Sequence, residues 1–294
     1  MASAELRLIR RRIRSVQSTM KITRAMELIA TARIGKAQTR LVEARPYAEK
    51  LTEVTRNVAA AGSASHPLLE TREPNTVGML VVTSDRGLAG AYNTSVIRMA
   101  ERQIHDHRFN DRAVRMYTVG KKAQAYFRYR NQEIAASWLD VTDLPVYGDA
   151  RAIANVLIDE YQAGAVDMVE VFTTRYISAL TQTPVRWPLL PIEPPAAGEG
   201  DTDEAGTAGY TYEPSPEAIL NRLLPRYLEG TTFGILLDAS AAEHAARRRA
   251  MKAATENAEE LIKILTRESN QARQAEITTE ISEIVGAAEA LAHG

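Results

Sequence analysis

The chain has 294 residues, enough for one large domain with extended helices, and its 45% hydrophobic and 25% charged content is ordinary for a soluble protein. A formal net charge of -1 gives no overall pull toward nucleic acid or an anionic surface. With no cysteine, disulfides, thiolate nucleophiles and cysteine metal sites are excluded, and no apolar run of about 18 residues is present to span a bilayer.

The N-terminal segment reads as one long helix over 1–60. Positions 6, 9, 13, 16, 20, 23, 27, 30, 34, 37, 41, 44, 48, 51, 55 and 58 alternate spacings of three and four, the pattern of a coiled-coil seam. All are apolar except Thr23, Glu27 and Thr55. Pro46 removes a backbone donor and should kink the helix. Sixty helical residues would make a rod of roughly 80–90 Å. The Arg-rich, acid-poor start resembles a transit peptide, but it continues into the helix with no break suited to cleavage.

The middle of the chain, 75–193, reads as α/β. Val77–Thr83 is a continuous apolar run, the mark of a strand buried on both faces. Ala113–Val119 and Asp167–Thr173 are two further strands, with helical stretches near 91–105, 121–128 and 149–163. Such alternation predicts a mostly parallel sheet. Residues 194–216 are rich in Gly, Pro, Ala and acid and read as a loop. The segment 193–221 carries only acidic charge: Glu193, Glu199, Asp201, Asp203, Glu204, Glu213 and Glu217.

The C-terminal segment, 217–294, is again helical. Met251, Ala254, Ala258, Leu261 and Leu265 hold one register; Ile277, Ile281, Ile284, Ala288 and Leu291 hold another. A seam changes register where its partner changes or ends. The polar stretch Thr266–Glu276 between them is therefore expected to face something other than a partner helix. Such narrow stripes need a partner, and the simplest is the other end of the same chain. Charge agrees: the first 50 residues carry twelve Lys/Arg against four Asp/Glu, whereas 243–294 carry seven against nine.

The candidate chemical motifs are weak. Ser84–Asn93 follows a strand and opens a helix, where a phosphate loop would sit, but it has neither the Gly-Lys-Ser/Thr ending nor the G-x-G-x-x-G triplet. A tight turn or a protein-contact loop are the other readings. His105-Asp106-His107 is spaced i and i+2, which does not share a helix face, and reads as a surface helix end. No nucleophile elbow or H-E-x-x-H is present, so no catalytic, cofactor or metal site is assigned. Arg10, Arg11, Arg12 and Arg14 beside a seam raise a basic-zipper DNA binder, but such zippers want Leu at nearly every second seam position, and here alanines are common.

Three blocks resemble the gamma subunit of F-type ATP synthases: Ile13–Ala30, containing Met20-Lys21-Ile22-Thr23-Arg24-Ala25-Met26-Glu27; Ser84–Asn93; and Ala250–Ala258 continuing through Ala272–Val285. They lie in the family's order and span nearly the whole chain. The resemblance implies an antiparallel coiled coil of the N- and C-terminal helices with a small Rossmann-like domain. It implies a rotor shaft, not an enzyme, turned by a c-ring and acting on alpha and beta subunits, with epsilon bound at its foot and no cofactor. It places Met26, Arg247, Arg273, Gln274, Thr278 and Glu280 against the alpha/beta sleeve. Arg86, Gly87, Gly90, Tyr210, Tyr212 and Glu213 match foot positions near epsilon and the c-ring. Arg267-Glu268-Ser269-Asn270-Gln271 departs from the family's more apolar run, so no contact is assigned there. The absence of a long presequence favours a bacterial protein at the cytoplasmic face of the plasma membrane.

Overall fold

The computed structural model describes residues 4–60, 66–192 and 215–292. Helix α1 (Ala4–Ala60) opens the chain, and helix α5 (Pro216–Ala292) closes it. Between them lie a 3-10 turn at Pro67–Leu69, strand β1 (Thr76–Val82), helix α2 (Tyr92–Phe109), β2 (Ala113–Val119), α3 (Lys121–Tyr129), β3 (Ile134–Trp138), α4 (Tyr147–Gln162), β4 (Met168–Tyr176) and β5 (Gln182–Leu190). The chain divides into two compact units, 1–29 with 248–294 and 30–247, and both long helices contribute to each.

In the 30–247 unit the five strands lie in the order β3-β2-β1-β4-β5. All neighbours are parallel except the β4–β5 pair. The central strand shows why its sequence is unbroken apolar. Val77, Met79 and Val81 point to one face and pack with α2 and α3 through Val96, Ala100, Ala123 and Phe127. Leu80 and Val82 point to the other and pack with α4 and the start of α5 through Ile153, Leu157, Leu220 and Leu224. Both faces are covered, so strand alternation sorts residues between two cores rather than between core and water. The β1-α2-β2-α3-β3 steps run one way and α4 returns the chain across β1 on the opposite face. Right-handed crossovers require that placement.

The expected strands correspond to β1, β2 and β4. Two more were not foreseen. Strand β3 has only five residues, with Ala and Ser in its middle. Strand β5 carries Pro184 and Pro188, which argue against a strand unless it lies at an edge, and it does. The histidine pair also needs correction. His105 is exposed as expected, but His107 is buried against the sheet, its Nε2 3.2 Å from the carboxylate of buried Glu170. Arg186 of β5 lies 3.7 Å from the same acid. A charge inside the sheet is tolerable because it is paired on two sides.

Helix pairing within this unit is antiparallel. Arg33 of α1 and His244 of α5 both reach Asp143. Further along, a Cβ placed on Gly230 would lie 3.6 Å from Leu51. The seam positions Ala30, Ile34, Ala37, Leu51 and Thr55 are all buried, and Leu41 and Ala44 are half-buried. The helix runs through Pro46.

Gly120 is the tightest backbone position. It ends β2 with φ +89°, and a Cβ there would sit 2.3 Å from the Thr83 carbonyl oxygen. Only glycine accepts both that conformation and that approach. We expect Gly120→Ala to lower unfolding free energy by about 2 kcal/mol or more, read by urea denaturation, because backbone must move; an unchanged midpoint would show that the β2–α3 turn yields freely.

Candidate functional site

In the unit formed by 1–29 and 248–294, the two helix ends make a bare two-helix seam. Leu6 and Thr23 are buried on α1, with Ile9, Ile13, Val16, Met20 and Glu27 half-buried. Met251, Thr255, Ala258 and Leu265 are buried on α5. Thr23 and Thr255 meet across the seam, hydroxyl to hydroxyl at 2.7 Å. Each hydroxyl also reaches a carbonyl of its own helix, Met20 at 3.0 Å and Met251 at 2.9 Å. One therefore donates to the other while the network stays satisfied. Thr23 thus breaks the apolar pattern without leaving the seam. It is a buried polar cross-link. Leu6 lies 17 residues before Thr23, and only an antiparallel partner keeps its opposite number inside this unit.

The seam's far end also differs from expectation. The first register does not break at Thr266; it continues through half-buried Ser269, Ala272 and Glu276. Beyond Glu276, residues 277–289 and Leu291 are all exposed. With Thr23 opposite Thr255, the described part of α1 runs out opposite about residue 274, so α5 continues without it. The residues of the second register therefore have no partner helix among the described residues: Ile277 is 47% exposed, Ile281 56%, Ile284 69% and Leu291 85%. Arg273, Ile277, Glu280 and Ile284 share one helical stripe; Gln274, Thr278, Ile281 and Val285 share the next. The Thr278 hydroxyl donates to the Gln274 carbonyl at 2.9 Å. Met26 is half-buried on α1, beside Glu27.

The 30–247 unit contains a polar joint that sequence reasoning missed. Glu243, His244 and Arg247 lie on one turn of α5, only 1%, 2% and 7% exposed. Arg247 Nη2 donates to Glu243 at 2.5 Å and to the Gly87 carbonyl at 3.4 Å, while its Nη1 lies 3.3 Å from His244 Nδ1. His244 Nε2 lies 3.2 Å from the Asp143 carbonyl and 3.5 Å from its carboxylate. A ring protonated on Nε2 satisfies both contacts, donating to Asp143 and accepting from Arg247. Arg33 reaches the same carboxylate at 3.8 Å. Burial lowers the proton affinity of His244 and raises that of Glu243, Arg247 opposing the latter. Only the i,i+4 spacing of Glu243 and Arg247 gave any sequence sign of this joint.

The 84–93 loop is pinned to that joint. Asp85 accepts from the amide and hydroxyl of Thr142 at 3.2 and 3.0 Å, and from the Lys121 amide at 3.1 Å. The Ala123 amide donates to the Thr83 hydroxyl at 2.8 Å, and the Lys122 amide to the Ser84 carbonyl at 3.2 Å. The first amides of α3 are therefore all taken by acceptors of the 83–85 segment. Asn93 Oδ1 accepts the Ser84 amide at 2.9 Å, closing the loop. Ala89 and Tyr92 pack on Ala242 and Ala246 of α5. Arg86 and Gly90 are exposed, Gly87 is half-buried, and Leu88 and Gly90 have positive φ. Gly87 and Arg247, expected on different surfaces, are brought together. Tyr210, Tyr212 and Glu213 lie outside the described residues, as does the 194–216 loop but for its last two positions.

No helix is long and apolar enough to cross a membrane, and no group of three metal-ligating side chains occurs among the described residues. The model of a protein family described as ATP synthase matches residues 5–291. The ATP synthase gamma chain of Parafrankia sp. (strain EAN1pec) is 46% identical over 303 residues, covering 99% of each chain. Among solved structures, a chain of the Tetrahymena thermophila mitochondrial ATP synthase central stalk and c-ring is 24% identical with a TM-score of 0.60, covering 79% of this chain and 99% of that one. A chain of the Euglena gracilis mitochondrial ATP synthase rotor is 16% identical with a TM-score of 0.62, covering 93% and 99%. The family match runs through the paired helices, the sheet and the pinned loop alike, and on that whole-length agreement the chain belongs to the ATP synthase gamma-chain family.

Proposed function

We propose that this chain is the rotor shaft of a proton-translocating F-type ATP synthase, with no active site of its own. The observation that carries the reading is the bare end of α5. A helix that exposes five large apolar side chains beyond the end of its partner, among the described residues, is made to be covered by something else. In this family that cover is the alpha/beta head. Ile277, Ile281 and Ile284 supply apolar contact area, while Arg273, Gln274, Thr278 and Glu280 supply short-lived polar contacts. Such a mixture suits a surface that must slide, because a dominant anchor would hold one angle. Met26, on α1 and well back from that end along the helix pair, is a separate contact with the same head.

The 30–247 unit is read as the foot. Arg86, Gly87, Gly90 and, in the segment outside the described residues, Tyr210, Tyr212 and Glu213 are its contacts with epsilon and the c-ring. Torque entering the sheet domain has to reach the paired helices without loss. The Asp143–His244–Arg247–Gly87 joint fits that demand, since hydrogen bonds from buried His244 and Arg247 tie α5 to the Asp143 and Gly87 loops, and Arg33 of α1 reaches the Asp143 carboxylate at 3.8 Å. Arg247 is thereby a residue that positions the 84–93 loop. The functional division we propose assigns 1–60 and 217–294 to the shaft, 75–193 to the foot and 194–216 to a loop. The chain would work at the cytoplasmic face of the bacterial plasma membrane, without entering the bilayer.

Co-expression tests the assignment. The chain should co-purify with alpha, beta and epsilon subunits and restore proton pumping to a head lacking its shaft. Leu265 is 3% exposed in the seam. We expect Leu265→Asp to lower the stability of the helix pair by about 3 kcal/mol or more and to uncouple ATP hydrolysis from pumping. Normal pumping by the assembled variant would falsify the shaft reading. Arg273→Glu, on an exposed face, should slow turnover of the assembled complex several-fold with an unchanged circular-dichroism spectrum; a lost helical signal would make the residue structural.

The joint also has a pH dependence. His244 binds a proton less readily in the folded chain than in the unfolded one, so its contribution is complete above about pH 6.5 and is lost as pH falls through its lowered native value. We expect His244→Gln to flatten the fall in melting temperature between about pH 6.5 and 5. An identical slope in the variant would show that His244 is protonated without cost.

A further inference from the structure

The 30–247 unit holds a cavity of about 470 Å³ between α1, the β4–β5 edge and the Gly230–Asp238 face of α5. Two glycines one turn apart make it. A Cβ added to Gly234 would meet nothing within 4 Å, so the helix offers bare backbone to an open space. Volumes of this order hold drug-sized molecules.

Its lining has a definite chemistry. Tyr47 and Trp187 present half-exposed rings at the mouth. Tyr147 and Phe233 meet edge to face, centroids 5.7 Å apart at 70°, and the Tyr147 hydroxyl donates to Glu229 at 2.8 Å, which holds that ring in place. Asp238 sits among them. One of its carboxylate oxygens accepts the Tyr176 amide at 3.1 Å. Arg175 acts on it electrostatically without closing an ion pair among the described residues, and burial leaves the carboxyl holding its proton more tightly than usual. Thr173, 4% exposed, also lines the cavity, and its hydroxyl has no hydrogen-bond partner among the described residues. A carboxylate short of compensation, surrounded by aromatic faces, favours an organic cation over a neutral or anionic molecule of the same shape.

We propose that this cavity is a binding site for a cationic aromatic amine, its charged nitrogen on Asp238 and its rings against Tyr47, Tyr147, Trp187 and Phe233. The site stands on the 30–247 unit alone and is independent of the shaft reading. A molecule bound there touches α1, α5 and the sheet edge at once, and so would bias any change in their packing.

The test uses the full chain with two probes of one shape: 9-aminoacridine, a cation at pH 8, and acridine, which is neutral there. Trp187 lines the cavity and its emission reports occupancy. We expect 9-aminoacridine to quench it and to bind about tenfold more tightly than acridine. Asp238→Asn should erase that preference. Gly234→Leu, which fills the space with a better helix former, should abolish quenching by both probes without lowering the melting temperature. Equal affinity for the two probes, preference kept in Asp238→Asn, or binding kept in Gly234→Leu would each overturn the proposal. So would quenching that persists in Trp187→Phe, because the dye would then lie near Trp138.

Discussion

A long helix with a narrow apolar stripe cannot hold itself together in water; it needs a second stripe to face, and most else in this protein follows from that need. The chain meets it with its own two ends. Leu6, Thr23, Met251, Thr255, Ala258 and Leu265 form the seam of one unit, and Ala30, Ile34, Ala37, Leu51 and Thr55 lie buried along α1 in the other. Because the ends must return to each other antiparallel, the intervening sheet has to hand the chain back in the opposite direction. The far end of α5 has no partner helix among the described residues. The same requirement that builds the pair therefore exposes the surface proposed to meet the head of the synthase.

The seam and the joint illustrate two ways of burying polar groups. Thr23 and Thr255 sit in an apolar interface at little cost, because each hydroxyl has a carbonyl of its own helix and the other hydroxyl within reach. They also specify alignment, since a slip of one turn would separate them and leave each facing apolar groups. At the joint, Glu243, His244 and Arg247 are costlier to bury. They are held by each other and by Asp143 and Gly87, with charges and donors arranged so that no large net charge is left inside. Removing one member exposes the others to an unpaired environment, so such a joint favours one geometry over its neighbours.

The cavity beside Asp238 is a different case. Gly230 and Gly234 leave α5 without side chains where α1 and the β5 edge approach, and the described residues neither fill nor close the space. A well-packed core would not tolerate that void, and the half-buried Asp238 carboxylate beside it has no ion pair among the described residues.

What the sequence determined by itself was periodicity. Every described seam position from Leu6 to Thr55 is buried or half-buried, Glu27 included, because a three-four spacing leaves few other ways to turn a helix. Strands β1, β2 and β4 were legible too, β1 most plainly because its apolar run is buried on both faces. The three blocks of family resemblance carried the functional reading. Tertiary structure decided what periodicity is blind to. Strand β5 exists because an edge tolerates Pro184 and Pro188, and His107 is buried because Glu170 arrives from another strand. Thr23 faces inward because Thr255 is there to meet it. The 266–276 stretch keeps the first register because α1 has not yet run out, a fact of helix alignment that local polarity could not reveal. Asp85, Asp143 and His244 gave no local sign at all. Their role depends on partners such as Lys121, 36 residues from Asp85, and on the pairing of Asp143 with His244, 101 residues apart, and only folding brings such partners within hydrogen-bond reach.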